Sequence, residues 1–381
     1  MSEFIPYARQ SLDEDDIQAV VEVLRSDFLT TGPKVTEFEQ AVADYCGAAY
    51  AVAFSSGTAA LHGAMHVLGV GRGDEVITTP ITFAATANAV LYQGGRPVFA
   101  DVRPGDLLLD PEKVEALITP ATRGIAAVDY AGHPCDYHAL GDICRRKGLF
   151  LLADACHALG GEYRGRKVGT LAGLTVLSFH PVKHLATGEG GMVLTNNPDL
   201  AQALQRFRNH GIDRAFNQRG GRRPWFYAMV ELGYNYRLSD IQCALGLSQL
   251  KKLPGWLERR RRLADRYQRA FAGMEGVEPL AVSPEVAHAY HLYVVRLTGG
   301  RPPQHRDRVF LALREQGIGV NLHYIPVYLH PYYQELGYRQ GLCPVAEDAY
   351  HQIISLPMFP ALSDQQQERV IAAVEKALAV V

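Results

Sequence analysis

Between residues 49 and 195 the apolar positions of this chain follow two alternating rhythms. Short unbroken apolar runs recur at 49–54, 75–79, 97–102, 124–130, 149–153 and 174–179. Stretches with helical spacing separate them, such as 58–68, with Leu61, Met65 and Leu68 on one face, and 83–91. Continuous apolar strands alternating with helices predict an α/β fold with a mostly parallel central sheet flanked by helices. Residues 190–195 predict one more strand after a glycine-rich turn.

Upstream, residues 1–12 read as an N-terminal arm. Asp13 opens a helix whose apolar face is Ile17, Val20, Val21 and Leu24, behind acidic residues that suit a helix N-terminus. A loop over 26–33 leads to a second helix, marked by Val35, Phe38, Val42 and Tyr45 and closed by Gly47. After about residue 250 the pattern changes. A charged helix over 257–271 is expected to carry Arg259, Arg260, Arg261 and Arg262 on its surface. A strand over 290–297 and a helix over 306–316, ended by Gly317, follow. Ser363 is expected to cap the last helix, with Gln366 as its capping-box partner. The pattern divides the chain into a large domain over 13–250 and a smaller α+β domain over 251–381.

Composition changes this picture little. The 381 residues are 48% hydrophobic and 20% charged, with a formal net charge of −2, which points away from a nucleic-acid binder. The six cysteines are scattered without a Cys-x-x-Cys pair, as expected of buried thiols in a reducing compartment. No uncharged run approaches membrane-spanning length, and the N-terminus lacks the features of a signal peptide. The expectation is a cytoplasmic protein with no nucleic-acid or membrane partner.

The chemistry gathers where apolar runs end. Asp154 closes one run in Leu151-Leu-Ala-Asp154-Ala-Cys-His157, and Lys183 follows another in Ser178-Phe-His-Pro-Val-Lys183. Strand carboxyl ends are where ligands bind in open α/β sheets. An acid and an amine there suit pyridoxal phosphate, which needs a lysine for its aldehyde and a carboxylate for its pyridine nitrogen. Ser55-Ser-Gly57-Thr58-Ala-Ala-Leu61 opens a helix with small residues, so its N–H groups can approach a phosphate. Ser178 is a further phosphate donor. His157 is placed to donate to a phenolic oxygen, and Phe83 to stack on a ring. Taken singly, each has a plainer reading: a surface lysine, a salt-bridged aspartate, a core histidine, a capped helix, a core phenylalanine. A metal at Asp154 and His157 lacks a second ligand pair.

Together these stretches resemble the sugar-nucleotide aminotransferases of the DegT/DnrJ/EryC1/StrS family, fold-type I pyridoxal phosphate enzymes. The resemblance rests on Leu29-Thr-Thr-Gly-Pro33, Ser56-Gly-Thr-Ala-Ala-Leu61, Thr79-Pro-Ile-Thr-Phe83, Asp154-Ala-Cys-His157, Ser178-Phe-His-Pro-Val-Lys183, Gly188-Glu-Gly-Gly191 and Gly233-Tyr-Asn-Tyr-Arg-Leu-Ser-Asp-Ile241, in family order. It implies that Lys183 holds the aldehyde of pyridoxal 5′-phosphate and Asp154 its pyridine nitrogen. It also implies that Gly57, Thr58 and Ser178 bind the phosphate and that Asn235, with Arg237 close by, reaches the phosphate in the neighbouring subunit of a homodimer. Within the family the chain is similar to the branch that aminates C4 of a UDP-linked 4-keto-6-deoxy-N-acetyl hexose on the pseudaminic acid route. That likeness assigns Tyr7, Asp27, Phe28, Leu29, Thr30, Val320, Asn321, Leu322 and His323 to the sugar-nucleotide site, with glutamate as amino donor. Arg219, Arg222 and Arg223 are candidates for the nucleotide diphosphate, although a solvated loop is the plainer reading. Three alternatives stay open: an aminotransferase for another keto nucleotide sugar such as the perosamine type, a pyridoxal phosphate-dependent dehydratase, and a regulator that keeps the scaffold. Lys183 argues against the dehydratase branch, which carries histidine in its place.

Overall fold

The computed structural model describes residues 3–213, 225–299 and 303–380. Its centre is a seven-stranded sheet: β1 (Tyr50–Phe54), β2 (Glu75–Thr78), β3 (Arg96–Phe99), β4 (Thr122–Val128), β5 (Phe150–Asp154), β6 (Leu174–Ser178) and β7 (Gly191–Thr195). The strand order is β1-β7-β6-β5-β4-β2-β3. Strands β3, β2, β4, β5 and β6 run parallel, and β7 runs antiparallel to both β1 and β6. The expected extra strand is therefore present, in the reverse direction. The connection over 179–190 forms no crossover helix: Phe179 N–H bonds the Gly190 carbonyl at 2.8 Å, which folds the chain straight back beside β6.

Apolar side chains fill both faces of the sheet. Ile77, Ile125 and Leu140 belong to one cluster, whereas Leu61, Met65, Val176 and Val193 belong to another. The helix Gly57–Val67 packs its small residues on β6 and β7, and Ser56 caps it by accepting from the Ala59 N–H. This brings the positive end of the helix to the carboxyl end of the sheet.

The C-terminal part is built on a three-stranded antiparallel sheet of Val277–Pro279, Tyr293–Leu297 and Ile353–Leu356. The last helix, Asp364–Val380, starts at the capping box read from the sequence: Ser363 Oγ accepts from Gln366 N, and Gln366 Oε1 accepts from Ser363 N. One helix, Asp240–Phe271, runs unbroken through the expected boundary at residue 250 despite Pro254.

Two surface readings require correction. Arg260 does not lie on the helix surface with its charged neighbours. It is 2% exposed and donates to the carbonyls of Tyr290, His291 and Met358, because its position on the helix faces the junction with the C-terminal sheet. The first helix, Glu14–Leu24, turns a different face inward than its apolar spacing predicts. Ile17 and Leu24 are exposed, while Asp16 is buried against Gln249 and Lys252.

Candidate active site

Each chemical residue is held by the end of an element. Asp154 is the last residue of β5, buried, and accepts a 2.6 Å hydrogen bond from Thr86 Oγ1 and a 3.3 Å one from the Cys156 N–H. Thr86 sits in the first turn of the helix Ala85–Tyr92, where Thr82 Oγ1 meets it at 2.9 Å. A buried carboxylate held by neutral donors still lacks a cation, and a protonated pyridine nitrogen supplies one.

Lys183 lies in the turn after β6, half-buried, with its N–H on the His180 carbonyl. Burial lowers its amine below the ordinary lysine value, and Cys156 and Asp154 oppose that shift. Lys183 and Asp154 thus share one electrostatic environment, as chemistry on a single ring requires. A lysine with a depressed pKa offers a neutral, nucleophilic amine.

Three segments meet at the candidate phosphate cradle. At Gly57, a Cβ would lie 3.1 Å from Ser178 Cβ and 3.5 Å from Cys156 Sγ, so the helix N-terminus and the end of β6 meet there. Gly191 must also lack a side chain, because a Cβ would lie 2.4 Å from the Ser56 carbonyl oxygen. The long helix steadies this corner: Gln242 Nε2 donates to the Glu189 carbonyl at 2.7 Å.

His157 is buried, and its Nε2 lies 3.2 Å from the Tyr324 hydroxyl. Its Nδ1 has no partner. Burial, then the charge of Lys183, holds the ring far below the usual imidazole value, so it is neutral. His323 packs on Tyr7 at 5.5 Å and places Nδ1 2.8 Å from Ser355 Oγ. Burial and Lys183 push it down to about 3. The Tyr130 hydroxyl donates to the His323 carbonyl. Tyr7, His323, Tyr324 and His157 therefore form one train of rings near Lys183. Asn321 lies beside it, with Nδ2 3.4 Å from His323 Nε2. Phe83 is exposed, 6.3 Å from the Tyr324 ring.

The remaining sequence-derived residues lie elsewhere. Val320 is in the C-terminal core, and Leu322 packs on the cluster beneath β4. Asp27, Phe28, Leu29 and Thr30 are exposed at the start of helix Asp240–Phe271, where Leu29 O accepts from Asp240 N at 3.1 Å. Asn235 is exposed and bridged to Asn209, to which Arg237 donates at 2.6 Å. Arg219, Arg222 and Arg223 lie outside the described residues. Sequence reasoning gave no individual role to Thr86, Tyr130, Tyr324 or His291, whose ring is 4.4 Å from His157. Thr82 and Thr86, spaced one turn apart at a helix start, carried a signal; the others look like ordinary core aromatics.

Residues 10–375 match the model of the DegT/DnrJ/EryC1/StrS aminotransferase family. The chain belongs to this family. It is 40% identical to the spore coat polysaccharide biosynthesis protein SpsC of Bacillus subtilis, over 97% of this chain and 96% of that protein. Its fold matches Helicobacter pylori PseC, an aminotransferase involved in the biosynthesis of pseudoaminic acid. That match has a TM-score of 0.94 and 35% identity, covering 100% of both chains. Streptococcus pneumoniae Spr1654 in its PMP form matches with a TM-score of 0.94 at 32% identity, covering 99% of both chains. Its PLP form matches with a TM-score of 0.93.

The fold is that of the pyridoxal phosphate aminotransferases, and pyridoxal 5′-phosphate is the cofactor. The residues fit it on geometry alone. The cradle at Gly57 and Ser178 is tight, Asp154 awaits a cation, and the buried His157 Nδ1 awaits an acceptor.

Proposed function

We propose that this aminotransferase moves the amino group of glutamate to C4 of a UDP-linked 4-keto-6-deoxy-N-acetyl hexose, as on the pseudaminic acid route. The observation that carries this choice of sugar is the full-length likeness to PseC. The likeness to SpsC, a polysaccharide biosynthesis protein, favours a second reading: another keto nucleotide sugar, such as the perosamine type.

The bound cofactor supplies a ring that takes up the electron pair left when the donor's α-proton departs. The residues of the chain do the rest. Lys183 would hold the aldehyde carbon and release it to the arriving donor amine. Its amine, whose proton burial loosens, would then take the α-proton and return it one position along. Asp154 keeps the proton on the ring nitrogen, with Thr86 and the Cys156 N–H fixing its orientation. With the Tyr324 hydroxyl donating to Nε2, His157 carries its proton on Nδ1, free for the phenolic oxygen. Water would release the donor as 2-oxoglutarate, and the second half-reaction would run the same steps backwards on the keto sugar. Tyr7, Asn321 and His323 line the sugar's side of the site.

We further infer a homodimer with shared sites. Ile17, Leu24, Phe28, Leu29, Met229 and Leu232 are all exposed on one chain. That much apolar surface calls for a partner. Asp27 to Thr30 and Asn235 belong to this surface and would serve the partner's site. Five buried cysteines and the half-buried Cys156, all unpaired, fit a reducing compartment, and we place the enzyme in the cytoplasm.

The test is product analysis. Incubation with nitrogen-labelled glutamate and a panel of keto-sugar nucleotides should give labelled 4-amino-6-deoxy-N-acetyl sugar, read by mass spectrometry and by NMR of its configuration. Turnover of a perosamine-type keto sugar in preference would replace the first reading with the second.

A further inference from the structure

Asp129 is a buried acid that the reaction above does not use. It follows β4 directly, as Asp154 ends β5, and its N–H donates to the Asp154 carbonyl at 3.0 Å. Two carboxyls thus stand at the ends of adjacent parallel strands. The Asp129 side chain is 0% exposed. Its Oδ1 accepts from Cys135 N at 2.9 Å and from the Tyr137 hydroxyl at 2.7 Å. Its Oδ2 has no partner. No cation faces it. The titratable groups around it are Cys135 and Tyr137 on its own turn and Asp154 and Cys156 on the neighbouring strand end.

We propose that Asp129 is a positioning residue that works as a neutral carboxylic acid, with its proton on Oδ2, so that Asp154 remains the single negative charge serving the cofactor's pyridine nitrogen. A lone neutral hydroxyl in such a place costs far less than a carboxylate lacking a counter-charge. Burial pushes the carboxyl up to about 7; the two hydrogen bonds on Oδ1 pull the other way, and Asp154 adds to the rise. Neutral Asp129 also braces the turn that carries Tyr130, which holds His323 in the ring train. The inference rests on the cofactor and the family and holds whichever keto sugar is aminated.

The experiment compares wild-type holoenzyme with Asp129→Asn and Asp129→Ala. Asn keeps the acceptor at Oδ1 and has no proton to lose. A carboxyl raised in the fold stabilises it below the unfolded value, and that contribution drains as pH rises through the folded value. Wild type should therefore lose Tm relative to Asp129→Asn between about pH 5 and about pH 8. The infrared difference between the two proteins should show a protonated carboxyl band at the acid end that vanishes at the alkaline end. In kcat/KM, Asn should rescue most of what Ala loses, with a flatter alkaline limb than wild type. A wild type that gains Tm relative to Asn as pH rises overturns the proposal, as does the absence of the band or equal loss in Asn and Ala. None of these outcomes depends on which sugar is turned over, so failure here is distinct from failure of the substrate reading.

Discussion

The strand-end pocket and the apolar face around Phe28 and Leu29 are built on opposite principles. In the pocket, polar groups are buried and their partners come from the same chain: Thr86 on Asp154, Tyr324 on His157, Ser355 on His323. On the outer face, apolar groups stand in water with nothing over them; Phe28 is 52% exposed and Leu232 72%. Buried polarity is costly unless it is completed, so it marks where a ligand goes. Exposed apolarity is costly unless it is covered, so it marks a contact surface, which the proposed dimer assigns to a second copy. In the proposed dimer one chain holds the chemistry, and two close the site around its substrate.

The pocket breaks most completely at its amine. Lys183→Ala should lower turnover by at least about 10⁴-fold, since both the covalent hold and the general base are lost. The fold should persist, because Lys183 makes no side-chain bond that the core requires; circular dichroism and steady-state rates check both halves. Normal rates without added amine would remove Lys183 from the mechanism. Next comes Asp154→Asn. It leaves the Thr86 bond but removes the charge that keeps the ring nitrogen protonated. We expect a loss on the order of 10³-fold in kcat, together with an altered pH dependence of the cofactor's absorbance. An unchanged spectrum would mean that the acid serves only the fold.

The outer face should fail in a different way. The double substitution Phe28→Asp with Leu29→Asp places charges where a partner's apolar surface would lie. Sedimentation should show monomers, and activity should fall by about 10- to 100-fold while the monomer's melting curve changes little. A charged variant that stays dimeric would locate the interface elsewhere. Here the comparison is sharpest: one region should lose chemistry with the fold and assembly intact, while the other should lose assembly and, with it, only the part of the activity that a second chain completes.

The same contrast explains what was readable from sequence. The parallel strands and their flanking helices were legible because strands buried on both faces leave continuous apolar runs, as in Leu151-Leu-Ala before Asp154. Lys183, Asp154 and His157 were legible because chemistry at strand ends is local in the chain. The direction of β7 was not, since an apolar run carries no arrow. Arg260 was misread because its run of four arginines looks uniform, whereas on a helix each successive position turns to a new face. The Glu14–Leu24 face was misread because apolar spacing does not say whether it covers this chain's core or awaits another's. No individual role was legible for Asp129 or Tyr324, as their roles depend on residues far away in sequence.

The smallest effect tests the join between the two regions. Asn235 is exposed on its own chain, in the segment bridged to Asn209, and we expect it to reach the partner's cofactor phosphate. Asn235→Ala should weaken cofactor retention about tenfold, the loss of one hydrogen bond to a charged group. Mixed dimers decide where that bond lies. If Asn235 acts across the interface, pairing a Lys183→Ala chain with an Asn235→Ala chain puts both lesions in one site and leaves the other intact. Such a dimer should retain about half of wild-type activity with wild-type cofactor affinity at the working site. If Asn235 acts within its own chain, neither site is whole, and the surviving activity carries the weakened affinity throughout.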